Sequence, residues 1–166
     1  MKRIITTLLV ALLAALSPLS LAKEEVLTLN WIDLIPLAER NNVYENALSS
    51  LEHASTMPAS QLKVGTVRKE LNGSKVKIPG FVIPLEGDEN TITEFLLVPF
   101  FGACIHVPPP PPNQIVYVRI PNGAPVQELW DVVYVIGTLS TKPEVSELAE
   151  AGYTIENATI EEYTEG

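Results

Sequence analysis

Residues 108–112 are five consecutive prolines, and no sheet interior can run through them. Proline has no N–H to donate to a ladder, so the run must lie in a loop or along an edge. It favours a polyproline II rod, roughly 3.1 Å per residue and about 15 Å in all. Strand-like runs flank it at residues 95–98 and 115–120. The chain therefore interrupts a sheet with a stiff loop, which loses little entropy on binding and can hold a site in place. The same loop carries the only cysteine, Cys104, and one of two histidines, His106.

The chain opens Met1-Lys2-Arg3, continues with an apolar run over residues 4–16 and reaches Ser20-Leu21-Ala22. A basic start, a short apolar stretch and a small-x-small site predict a secretory signal peptide cleaved after Ala22, hence a periplasmic protein. The apolar run falls short of the roughly 20 residues that span a bilayer, so no membrane insertion is expected after cleavage. Cleavage leaves 144 of the 166 residues, enough for one compact domain, and moves the net charge from −9 to −11 because Lys2 and Arg3 leave without an acid. So acidic a surface repels phosphate backbones and anionic lipid, which excludes nucleic acid as a partner. A single cysteine excludes an internal disulfide and Cys-x-x-Cys redox chemistry.

Along the mature chain, Asp33 followed by Pro36 reads as the start of a helix, and apolar residues at spacings of three and four extend it over residues 34–53. An N-terminal helical segment over 23–60, packed on the rest of the domain, is therefore expected. Strands are expected over 76–85, 91–99, 114–120, 131–140 and 153–163, with a hairpin loop at 86–90 and a turn at 121–125. Pro79-Gly80, Pro84 and Gly137 mark bulges or edges. Pro143 and Gly152 bracket a short helix over 142–150 before the last strand. Five strands with a late helix predict a mainly β fold, a small closed OB-like β-barrel spanning residues 61–166.

Three segments carry a resemblance: Lys77-Ile78-Pro79-Gly80-Phe81-Val82-Ile83-Pro84-Leu85-Glu86, then residues 95–106 ending Gly102-Ala103-Cys104-Ile105-His106, then the prolines with Asn113-Gln114. Together they resemble a family of small secreted proteins of Gram-negative bacteria classed as a domain of unknown function. The resemblance covers residues 75–163 and implies that Cys104, His106 and the prolines form the family's signature. It implies no catalysed reaction, and it implies an association with transport systems that include zinc-handling periplasmic proteins.

Cys104 and His106 stand two apart, so on an extended backbone they share a side. A thiolate and an imidazole so placed suit Zn²⁺ or Cu(I). Zinc takes about four ligands, and His53 or an acid such as Glu52, Glu86 or Glu94 is the candidate to complete the set. The competing readings are structural and catalytic. Cys104 as a small buried hydrophobe, with His106 hydrogen-bonded beside it, would need no ligand. Cys104 activated by His106 would be a thiol nucleophile, although thiol enzymes bring the base from elsewhere in the fold. His53, near the end of the expected helix, suits a capping role as well as a ligand. The sequence thus predicts a non-catalytic periplasmic binding or accessory protein linked to zinc handling or a transport system. The alternative is an interaction module that presents Pro108, Pro109, Pro110, Pro111, Pro112, Asn113 and Gln114 to a transporter or another envelope protein.

Overall fold

The computed structural model describes residues 25–40, 61, 65–103, 109–125 and 132–164. Eight strands are found among them: β1 (Leu27–Thr28), β2 (Lys75–Gly87), β3 (Thr91–Val98), β4 (Val116–Pro125), β5 (Val133–Ser140), β6 (Glu144–Val145), β7 (Glu150–Ala151) and β8 (Tyr153–Glu162). Hydrogen-bonded neighbours run β2-β3-β4-β8-β5, and β5 returns to β2, so five long strands close a barrel. All pairs around it are antiparallel except β4 with β8, which runs parallel from Val116↔Tyr153 to Val118↔Ile155. That order and that single parallel pair are the five-stranded OB arrangement expected from the sequence.

The period-two pattern puts one set of side chains inside. Val76 and Ile78 of β2, Phe95 and Leu97 of β3, Val116, Val118 and Ile120 of β4, Val133, Val135 and Leu139 of β5, and Tyr153 and Ile155 of β8 form one buried core. The other set gathers outside the wall on β2, β3 and β4. There Ile83, Leu96, Val98, Ile115 and Tyr117 are also buried, beneath Ala103, Ala149 and Ala151.

Several boundaries differ from the sequence reading. Residues 121–125 continue β4 rather than turning, because Thr91↔Pro125 and Ile92↔Ala124 extend the ladder and Gly123 accepts φ +70° where the strand bends. The bulge expected at Gly137 is present: the β5–β8 register shifts between Ile136 and Thr138, opposite Asn157 with φ +52°.

The short helix expected over 142–150 is not formed. β6 and β7 make a small hairpin there, with Glu144↔Ala151 and Val145↔Glu150 paired. Ser146 turns it: its backbone N–H donates to the Ala149 carbonyl (3.0 Å), and its Oγ accepts from the N–H groups of Leu148 (3.3 Å) and Ala149 (3.1 Å). A serine that satisfies nearby backbone in this way competes with helix, and the hairpin also buries Ala149 and Ala151.

At the N-terminus, Trp31–Leu34 is a 3₁₀ turn rather than the head of an α-helix. Ile35, which precedes Pro36, is extended (φ −90°, ψ 130°), as the proline ring requires of its predecessor, and this stops the turn. Asp33 lies within the turn, where its carboxylate accepts from the Asn30 N–H (3.0 Å). The remainder of the expected helix, residues 41–53, lies outside the described residues. The buried Tyr153 hydroxyl fastens this N-terminal segment to the barrel, donating to the Leu34 carbonyl (2.7 Å) and accepting from the Arg68 N–H (2.6 Å). Trp31 Nε1 adds a bond to the Pro79 carbonyl (2.7 Å).

Candidate functional site

The loop joining β3 to β4 carries the cysteine, the histidine and the prolines. Cys104, His106 and Pro108 lie outside the described residues, as does His53. The structure describes both flanks of that segment. Upstream, Ala103 is fully buried against the outer wall of the barrel.

Downstream, the chain is tied at four successive points. The Gln61 side-chain amide donates to the carbonyls of Pro110 and Glu150 (2.8 Å each), while its oxygen accepts from the Glu150 N–H (2.8 Å). One amide thereby links the proline run to β7. Pro112 accepts from the Gly152 N–H (2.6 Å), and a Cβ at Gly152 would stand 2.8 Å from that same carbonyl oxygen, so the approach needs glycine. The buried Asn113 donates through Nδ2 to the Thr66 carbonyl (3.1 Å). Gln114 Nε2 donates to the Trp31 carbonyl (3.0 Å).

Pro111 has polyproline II dihedrals (φ −55°, ψ 153°), but Pro112–Gln114 already forms a 3₁₀ turn, so the extended rod ends at Pro111. Pro110 is buried, and Pro109, Pro111 and Pro112 are half-buried. The amides of Asn113 and Gln114 are engaged in anchoring the loop.

Glu86 is exposed and sits opposite Glu94 in the β2–β3 ladder. Val98, where the loop leaves the barrel, is four residues further along β3, or about 13 Å at strand spacing. Among the described residues, no three His, Cys, Asp or Glu side chains come together as a metal site.

The structure reveals a second polar constellation that the sequence did not suggest. OB barrels generally take their ligands on the outer face of the second and third strands and on the flanking loops. Here that face belongs to β3 and β4. Its lower half is filled by Leu96, Val98, Ile115 and Tyr117, roofed by the chain's own Ala103 and the β6–β7 hairpin. Its upper half is centred on Arg119. The guanidinium reaches Glu156 of β8 (2.7 Å), Glu144 of β6 (3.2 Å) and Glu94 of β3 (3.2 Å), and lies 4.5 Å from the centroid of the Tyr117 ring.

Tyr117 in turn hydrogen-bonds Glu94. The bond to Glu156, with those to Glu144 and Glu94, holds the guanidinium pKa above its ordinary value despite partial burial. Burial and the Glu94 carboxylate push the Tyr117 phenol up to about 12. Three carboxylates on one guanidinium leave this face acidic, the opposite of the basic, aromatic groove that binds single-stranded nucleic acid. No local signal could have found it, since Arg119 lies 25 residues from both Glu94 and Glu144 and 37 from Glu156.

The sequence profile of DUF3299, described as a protein of unknown function, matches residues 31–162. The chain belongs to the DUF3299 family. A crystal structure of a DUF3299 protein from Pseudomonas aeruginosa PAO1, at 2.45 Å resolution, is similar to it. The two share 39% identity over 85% of this chain and 99% of that one, with a TM-score of 0.66. No functionally curated protein matches. The resemblance seen in the sequence therefore holds at the level of the family, and the described flanks of the loop, Ala103 on one side and the anchors to Gln61, Thr66, Gly152 and Trp31 on the other, are how this DUF3299 member fastens it to the barrel.

Proposed function

We propose that this protein is a non-catalytic periplasmic binding or accessory protein that holds one Zn²⁺ or Cu(I) ion through Cys104 and His106, in the service of metal handling or transport. The observation that supports this most directly is the mounting of the loop. The five residues from Cys104 to Pro108 run between a fully buried Ala103 and a proline run bonded to Gln61 and Gly152. Fixing both ends of a short segment lowers the entropy cost of ordering it around a metal ion. The lower half of the face that OB barrels ordinarily offer to ligands is covered here by the chain itself, and the upper half is taken up by the Arg119 ion-pair cluster.

Thiolate and imidazole supply two ligands of the roughly four that zinc takes. Glu86 is exposed and about 13 Å along the strand from the point where the loop departs, and His53, a histidine rather than an acid, is the other internal candidate for a third.

Metal analysis of untagged protein, dialysed against micromolar Zn²⁺, tests the reading. About one equivalent of zinc should be retained, and Cys104→Ser or His106→Ala should lower the affinity about tenfold or more, as loss of a first ligand does. Protein that retains no zinc and no Cu(I), or retains them undiminished in Cys104→Ser, overturns it.

A further inference from the structure

We propose that Asn122 is a site of spontaneous covalent modification, where the Gly123 nitrogen attacks the Asn122 side-chain amide and converts it to aspartate and isoaspartate. The chain has two Asn-Gly pairs, Asn72-Gly73 and Asn122-Gly123. Glycine has no Cβ to shield the attacking nitrogen, so both pairs carry the same intrinsic chemistry. Both asparagines are exposed, and both glycines have positive φ, +82° at Gly73 and +70° at Gly123. Their hydrogen bonding differs. Asn72 Oδ1 accepts from the Thr141 N–H (3.0 Å) and hydroxyl (3.3 Å), and the Gly73 N–H donates to the Leu139 carbonyl (2.7 Å). The two groups that must meet are thus each held elsewhere. The Asn122 side chain, by contrast, makes no hydrogen bond among the described residues. The β3–β4 register passes from Glu94↔Arg119 to Ile92↔Ala124, so residues 120–123 of β4 stand against Thr93 alone. Asn122 and Gly123 therefore lie in a bulge, where surplus residues fall out of the ladder's register.

The reaction needs only water. The Gly123 nitrogen bonds to Asn122 Cγ and gives up its proton, and the Cγ–Nδ2 bond breaks to release ammonia, leaving a cyclic imide. Water then opens the imide at either carbonyl. Cleavage at Cγ gives aspartate, and cleavage at the main-chain carbonyl gives isoaspartate, in which the chain runs on through Cβ and Cγ. Nothing is oxidised or reduced. Either product replaces a neutral amide with a carboxylate and moves the net charge by one, from −9 to −10. The new charge appears in a cleft of about 360 Å³ that Asn122 shares with Glu86, Asp88, Thr91 and Thr93, as its third carboxylate. Isoaspartate also adds one atom of main chain, and it does so inside the bulge, where no register pair is lost.

Peptide mapping by mass spectrometry of the full chain, aged in mildly alkaline buffer and resolved for aspartate and isoaspartate, tests this. In the folded protein Asn122 should convert about tenfold or more faster than Asn72, because the bonds to Thr141 and Leu139 must break before Asn72 can react. In urea, where both pairs lose their surroundings, the two rates should converge. Isoaspartate should accompany aspartate at Asn122, since direct hydrolysis of the side-chain amide gives aspartate alone. Equal rates at the two sites in the folded protein overturn the proposal, as does conversion of Asn122 to aspartate only. So does a folded chain whose Asn122 stays intact while both sites convert in urea. A difference between the sites that persists in urea overturns it too, because that difference would belong to the flanking residues rather than to the fold.

Discussion

The two apolar clusters of this barrel share their strands but not their physics. The inner one is enclosed by hydrogen-bonded ladders on every side, with Phe95, Val116, Val135, Tyr153 and Ile155 fully buried in it. The outer one, on Leu96, Val98, Ile115 and Tyr117, is enclosed on one side by the barrel wall and on the other by single stretches of chain bearing alanines. Those covering stretches are held by side-chain amides and an ion-pair cluster: Gln61 to Pro110 and Glu150, and Arg119 to Glu144. Adjacent residues of one strand, Phe95 and Leu96, thus belong to different cores. The inner core makes the fold, and the outer one fastens the loop that distinguishes this family member from a bare barrel.

Truncation inside the barrel should separate the two clusters most sharply. Phe95→Ala should cost about 3–5 kcal/mol, because the closed wall cannot collapse into the void. Chemical denaturation should show the whole barrel unfolding in one weakened transition. A loss below about 1 kcal/mol would mean that the inner core is not tightly closed. Leu96→Ala, one residue along, should cost about 2–3 kcal/mol, near the lower end for such a change, because the alanine-bearing cover can settle inward. Hydrogen exchange should then quicken in β6 and β7 before it quickens in β2 or β5. Uniform quickening would erase the distinction between the clusters.

The smallest effect is a dependence on pH. The folded-state pKa of Tyr117 is raised from 10.0 to about 12, by burial first and the Glu94 carboxylate second. A phenol with a raised pKa holds its proton more tightly when folded. Its contribution to stability is complete below about pH 10 and is lost as pH rises toward 12. Tyr117→Phe should therefore show a shallower fall in melting temperature between pH 10 and 12 than the wild type. Parallel curves would place the phenol in water.

The inner core was readable because alternation is a local property. Val116, Val118 and Ile120 declare an inward face without reference to any other strand, whereas the run Phe95-Leu96-Leu97-Val98 of β3 is apolar at every position and does not say which face is inward. The outer cluster was much less legible. Ala149 and Ala151 cover Leu96 and Tyr117 across more than thirty residues of sequence, and nothing in a run containing Pro143, Val145 and Ala149 distinguishes a covering hairpin from a short helix until Ser146 is seen turning it. The candidate site divides in the same way. The oddity of Cys104, His106 and the prolines is visible at once, as is their place between two strands. Its fastening is not, because Gln61, Thr66 and Trp31 meet it only in three dimensions.

The one parallel pair in the wall has a consequence for how the molecule comes into being. β8 is the strand that joins β4 to β5, and in chain order it comes after both of them. A nascent chain can lay β2, β3 and β4 against one another as a meander, but the gap between β4 and β5 stays open until β8 has been made. Pairings between distant segments form slowly, and an unfilled strand edge is an invitation to another chain. Until then this protein is an open sheet. A long pause or a truncation ahead of Tyr153 would leave β4 without its neighbour, and would turn a closed barrel into a species prone to aggregate.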